Sequence, residues 1–325
     1  MLLDESYGPA MPDGMTQMPQ KAVLYAVETY FWEGWDDLVN LAGDSARTLL
    51  SAHSLVLVKP DALCCRKAEM ILQWLDENGF SVVDCMSVEV SRHQTRALWR
   101  YQWNTARRDR KEALDALLAA VPSLLLIIRS RQDHHLSAAQ RFTQLKGPAD
   151  AELQRPGDLR ARLGTRTHLM NFVHSADEPA DVARELAILL PPLARRRVFQ
   201  KMLQGAVCPA DEVASLVVAL YDKVRPHSLD LSESLARIED AVRQMLAEQD
   251  PRRERVADLI DRIKLRKEAS WRELFTLLDE CGVRYEPWDR ITIAAFLANV
   301  AHEGVAFLIS SLQPVLATSG KQVEA

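Results

Sequence analysis

Glycine is scarce in this chain, at 12 of 325 residues. An average protein carries about 7%. The shortage excludes collagen-like and low-complexity architectures, and it weighs against phosphate sites made of glycine-rich loops. Neither G-x-G-x-x-G nor G-x-x-x-x-G-K-[ST] occurs, so any phosphate site must rest on side chains. Long apolar runs are also missing. Segments such as 124–128 fall far short of the roughly 20 residues that a membrane-spanning helix needs. A basic excess is absent as well: 40 Lys and Arg face 45 Asp and Glu, a net charge of −5. That argues against a nucleic-acid partner, which calls for a basic stripe. The 5 cysteines are odd in number and form no C-x-x-C pair. They read as reduced, buried thiols rather than a disulfide framework or a zinc site. Residues 1–18 show neither a basic n-region nor an apolar h-region. The expectation is therefore a cytoplasmic protein with no membrane association.

What is present suffices for a substantial core. Hydrophobic residues make up 48% and charged residues 26% of the chain. The length fits one large domain or two ordinary ones. Residues 1–20, rich in Met and Pro, read as flexible. Residues 21–50 read as helical, with Phe31, Trp32 and Trp35 on or near one apolar stripe that must be covered by a neighbouring domain or a partner. Short strands are predicted at 54–58, 80–90, 123–128 and 169–173. Helices are predicted at 66–77, 92–103, 111–119, 137–145 and 179–190. This order is close to a ferredoxin-like split β-α-β arrangement with inserted helices. Pro191-Pro192 breaks the chain, and only helical patterns follow, at 211–224, 230–249, 252–266, 271–281 and 289–312. Three parts result: 1–50, a flexible start and helical extension; 51–192, the α+β domain; and 193–325, an all-helical domain of unassigned role, a candidate surface for a protein partner.

Phosphoryl transfer needs cations around the phosphates and a nucleophile aimed at the terminal phosphorus. The middle region offers Lys59 at the exit of the first strand, Arg160 in a loop, His174 at the end of the fourth strand and Glu185 on the next helix. His134-His135 reads as an exposed loop. The basic run 107–111 reads as a solvated turn with some attraction for phosphate.

Four short motifs then occur in order: Lys59-Pro60-Asp61; Pro148-Ala149-Asp150; Arg155-Pro156-Gly157-Asp158-Leu159-Arg160; and Asn171-Phe172-Val173-His174-Ser175-Ala176-Asp177. Together with Asn78-Gly79-Phe80, this region resembles the nucleoside diphosphate kinase family over about residues 52–192. The resemblance implies an α+β fold: a ferredoxin-like, four-stranded antiparallel sheet with helices. It implies that His174 is the nucleophile that takes the γ-phosphate of ATP or another NTP and passes it to a nucleoside diphosphate or a specialised acceptor. Glu185 would hold the imidazole. Lys59, Arg160, Arg141 and Arg108 would contact phosphates, Asn171 the ribose, and Tyr101 would position His174 and Lys59. Mg²⁺ would arrive with the nucleotide, and the chain would form a homo-oligomer. Departures from the family pattern fall around the nucleoside seat. Ser175-Ala176 replaces Gly-Ser, Lys146 takes the place of a threonine and adds a cation, residues 62–69 lack the family's glycines, and no aromatic for the base stands near 110–112. The same residues therefore also admit a second reading, a catalytically degenerate nucleotide-binding or scaffolding protein.

Overall fold

The computed structural model describes residues 10–132, 134–265, 267–298 and 305–309. Four strands form one antiparallel sheet: β1 (His53–Val58), β2 (Phe80–Val88), β3 (Ser123–Ser130) and β4 (Val173–Ser175), in the order β2-β3-β1-β4. β1 is buried along its whole length, because β3 and β4 flank it and helices cover the sheet. Hence residues 55–58 of this strand form a continuous apolar run rather than an alternation. The α+β class and the four-stranded antiparallel sheet agree with the expectation.

The fourth strand begins later than its apolar pattern suggests, at Val173 rather than at 169. The preceding turn satisfies its own backbone. Thr167 Oγ1 accepts from the N–H groups of Leu169 and Met170, and Arg166 N–H donates to Met170 O. Phe172 then adopts φ +71°, in the left-handed region that a bulky residue seldom visits. Its N–H donates to Asp61 Oδ2 at 2.8 Å, and its carbonyl accepts from Lys59 N–H at 2.9 Å. These two bonds hold the turn against the end of β1, where Pro60 opens a short helix, Pro60–Cys64.

The expected helical stretch 21–50 is three helices: Pro19–Ala26, Thr29–Ala42 and Ala46–Ala52. Phe31 and Leu38 are buried, and Trp32 and Trp35 are half-buried against the core. Gly34 lets Thr29–Ala42 lie directly on helix Pro179–Leu189. A Cβ there would stand 2.1 Å from Ala183 O. A buried polar set completes the contact. Lys21 Nζ lies 2.7 Å from both Glu178 Oε2 and Asp181 Oδ2. Tyr25 Oη donates to Asp181, and Arg184 Nε donates to Glu28, each at 2.6 Å. Residues 15–17, within the stretch expected to be flexible, join this contact. Met15 is buried, and Thr16 and Gln17 bond Glu178.

Pro192 does not end helical structure but starts it, as Pro does at a first helical position. Helix Pro192–Leu203 follows, then Ala210–Tyr221, both against β2. Helices Leu231–Met245, Pro251–Lys264, Trp271–Glu280 and Pro287–Leu297 pack on one another. The last is shorter than the predicted 289–312, part of which lies outside the described residues. The segment 221–228 sits on residues 64–69. Arg66 donates to Tyr221 O at 3.0 Å and Val224 O at 2.8 Å, and His227 N–H donates to Cys64 O at 3.1 Å. Arg66 has φ +54°, and these bonds hold that unfavourable backbone in place. Among the described residues, no helix is long and apolar enough to cross a membrane.

Candidate active site

His174 occupies the middle of β4, paired across the sheet with Leu57. Helix Pro179–Leu189 starts with Pro at its first position and a Glu178–Asp181 capping box. It folds back over the sheet and presents Glu185. His174 Nε2 lies 2.9 Å from Glu185 Oε2. A carboxylate only accepts, so Nε2 donates this bond, and in the neutral ring the lone pair then sits on Nδ1. Trp99 stands edge-on to the imidazole, with ring centroids 4.9 Å apart. Carboxylate and indole together fix the ring.

A cavity of about 190 Å³ opens beside the imidazole. Its cations are Lys59, Arg110, Lys111 and Arg160, and among the described residues no carboxylate lines it. Lys59 is buried and donates to Leu169 O at 2.6 Å, with Asp61 at 3.6 Å. Burial pulls its pKa down, and Asp61 opposes that. Arg160 is pinned by Gly147 O at 3.0 Å and Val173 O at 2.8 Å. Its buried Nε has no partner among the described residues, and burial lowers its pKa to about 10. A buried donor without an acceptor is costly, and an anion would supply the acceptor. His168, also in the lining, is pushed down to about 4 by burial and then by Arg110 and Arg160, so it is neutral at pH 7. Asn171 also lines the cavity, its Nδ2 donating to His168 O at 2.9 Å.

A second cavity of about 600 Å³ also reaches His174 and Arg160. Lys146 lines it, buried, with Nζ 2.6 Å from Ser175 Oγ and 3.4 Å from Asp177 Oδ1. Burial brings this lysine down to about 8, although Asp177 opposes the shift. Burial acts to raise Asp177, but Lys146 and Lys21 outweigh it and hold the carboxyl at about 2.

The structure thus gathers His174, Glu185, Lys59, Arg160 and Asn171. It does not gather three residues that the resemblance suggested. Arg108 is exposed and bonded to Glu112 at 2.6 Å, at the start of helix Arg108–Ala119. That helix begins three residues before the predicted one, and Arg110, Lys111 and Leu114 lie on the face that meets the cavity. Arg141 spends its guanidinium on Asn78 O, Ser130 and Gln132, over the Phe80 ring. Tyr101 packs on Tyr25, with centroids 5.6 Å apart, and beneath Arg184. The predicted helix 92–103 ends at Leu98. The chain then turns, which brings Trp99, rather than Tyr101, to the imidazole. Sequence reasoning also missed Trp103, His168 and Phe307 in the lining. Helical spacing could have picked out Arg110 and Leu114; the other residues carry no local signal.

A nucleoside diphosphate kinase family model matches residues 52–194. The chain is 30% identical over 145 residues to a nucleoside diphosphate kinase of Mycolicibacterium gilvum, covering 44% of this chain and 100% of that protein. It is also 30% identical over 141 residues to a thioredoxin domain-containing protein 3 homolog of Heliocidaris crassispina. That match spans 42% of this chain but only 16% of that relative's length. Among solved structures, the Aquifex aeolicus nucleoside diphosphate kinase aligns at 21% identity with a TM-score of 0.36, over 44% of this chain and 96% of that one.

Proposed function

Since the chain belongs to the nucleoside diphosphate kinase family through residues 52–194, we propose that it is a phosphotransferase acting through phosphohistidine at His174. In this reading Nδ1 attacks the γ-phosphorus of an NTP. The P–N bond forms as the bond to the β-γ bridging oxygen breaks, and the NDP leaves. A nucleoside diphosphate or a specialised acceptor then takes the phosphoryl group in the reverse sense. One observation carries the reading: His174, with Nε2 bonded to Glu185, lines a cavity with Lys59, Arg110, Lys111 and Arg160 and, among the described residues, no carboxylate. Such a cavity stabilises the charge on transferring phosphoryl oxygens. Glu185 holds Nε2–H and balances the charge that the ring gains on attack. In this reading Mg²⁺ enters on the nucleotide's phosphates, as part of the substrate. Asn171 is the group assigned to the ribose. Lys146 is an additional cation behind β4.

The test is incubation of the full chain with γ-labelled ATP and Mg²⁺. An acid-labile, base-stable phosphoprotein that disappears in His174→Ala supports the reading. Absence of label on the wild type refutes it and leaves a nucleotide-binding scaffold. Discharge by GDP or CDP identifies ordinary nucleotide exchange; retention until another acceptor is added identifies a specialised one. We further propose a cytoplasmic homo-oligomer in which residues 193–325 form a helical region that recruits a protein partner. Light scattering that returns a monomer refutes the assembly.

A further inference from the structure

We infer that Phe307, delivered by the C-terminal segment 305–309, is the face on which the planar base of a nucleotide rests at the His174 cavity. This rests on the nucleotide reading above and adds the element that recognises the base.

The cavity lining is of two kinds. Lys59, Arg110 and Arg160 suit phosphates, but Trp103, Leu114 and Phe307 do not. A ligand that is both anionic and planar uses both kinds; a bare phosphate chain uses only the first. Among the aromatic side chains in the lining, two are already engaged. Trp99 packs on His174. Trp103 is 8% exposed, with the Arg96 guanidinium 4.1 Å and the Lys111 ammonium 5.8 Å from its ring centre. Phe307 is 49% exposed, so its ring has a free face.

Exposure alone does not make a binding residue. Here the neighbours on both sides of Phe307 are tied down. Ala306 O accepts from Asn104 Nδ2 at 2.6 Å, Leu308 N–H donates to Tyr101 O at 3.2 Å, and Ile309 is 3% exposed. The backbone is therefore fixed to the turn that follows helix Arg92–Leu98, the same turn that carries Trp99 and Trp103. An apolar ring left in water between fixed neighbours stands ready to stack. Base–aromatic stacking is tolerant of base identity, since every base has a π-face. The expected ligand class is a nucleoside di- or triphosphate of broad base preference.

The experiment measures binding of ADP and of inorganic tripolyphosphate, each with Mg²⁺, by calorimetry on the full chain. Wild type is compared with Phe307→Ala, Phe307→Leu and Phe307→Trp. The inference expects Phe307→Ala to weaken ADP about 10-fold while tripolyphosphate is unchanged. Phe307→Trp retains ADP affinity, whereas Phe307→Leu, apolar but without a π-face, does not. Unchanged ADP affinity in Phe307→Ala overturns the inference, as does equal weakening of both ligands or wild-type behaviour of Phe307→Leu. If His174 is labelled by ATP yet Phe307→Ala binds ADP normally, this inference fails and the phosphotransferase reading stands. If the wild type binds neither ligand, both fail.

Discussion

His174 Nε2 and Glu185 Oε2 lie 2.9 Å apart, although eleven residues separate them in the chain. A strand and the return of a fully buried helix bring them together. The bond commits one nitrogen to the proton, and in the proposed reaction the other attacks phosphorus. Glu185→Ala should slow formation of the phosphoprotein about 100-fold, the order that a positioned proton partner contributes. Glu185→Gln, which still accepts a hydrogen bond, should lose less. Rapid-quench labelling measures both. An alanine variant that labels at the wild-type rate would remove Glu185 from the mechanism.

The helix that carries Glu185 is clamped from outside the matched region. Lys21 is buried between Glu178 and Asp181, each 2.7 Å away. Taking these charges out of water is costly, so the pair is weak evidence of net stabilisation. Removing one partner is different, because the carboxylates stay behind uncompensated. Lys21→Met should destabilise the fold by about 3–5 kcal/mol, read as a shift in the urea midpoint. A midpoint equal to that of the wild type would show that water reaches these carboxylates.

Backbone proximity makes Gly34 a sharper case. An added methyl would stand 2.1 Å from Ala183 O, a backbone atom that cannot rotate away. Helix Thr29–Ala42 must therefore move off helix Pro179–Leu189. Gly34→Ala should cost at least the roughly 1–3 kcal/mol of an overpacked core, despite alanine's better helix propensity. A lowered urea midpoint should show the loss. A stabilised variant would contradict the contact.

How much of this was legible in the sequence depends on which forces set each feature. β1 and β3 carry uninterrupted apolar runs, at 55–58 and 124–128, and burial on both faces explains such a pattern. The four motifs placed His174, Lys59, Arg160 and Asn171 because each sits in or beside a short element, β4, the end of β1, helix Leu159–Leu163 or the turn before β4, that its neighbours fix. Glu185 was legible because one buried helix follows β4 without insertion. Other features depend on contacts distant in sequence. The late start of β4 follows from Asp61 capturing Phe172 N–H, across more than a hundred residues. Arg108 and Arg110 differ only in helical phase, and that phase is set by where the helix begins. Trp99 and Tyr101 are two residues apart in a turn that no periodicity describes. Phe307 reaches the cavity only because Asn104 and Tyr101 hold its segment there.

The pH dependence of stability has an identifiable contributor in His53, at the start of β1. Its Nδ1 donates to Leu49 O at 2.8 Å, while the buried Nε2 has no partner among the described residues. Burial holds this imidazole down at about 4, against an ordinary 6.5. The folded value lies below the unfolded one. Between pH 6.5 and 4 the unfolded chain therefore binds the proton first, and stability is lost as the pH falls through that window. His168, also near 4 through burial, acts in the same direction. The full shift at His53 corresponds to about 3 kcal/mol. Urea unfolding of the wild type at pH 7 and pH 4 should show the loss. His53→Gln has no charge to gain, so its stability should fall less over the same interval, by up to about 3 kcal/mol. Parallel curves for the two proteins would mean that His53 is hydrated in the folded state and that its burial does not set the acid limit.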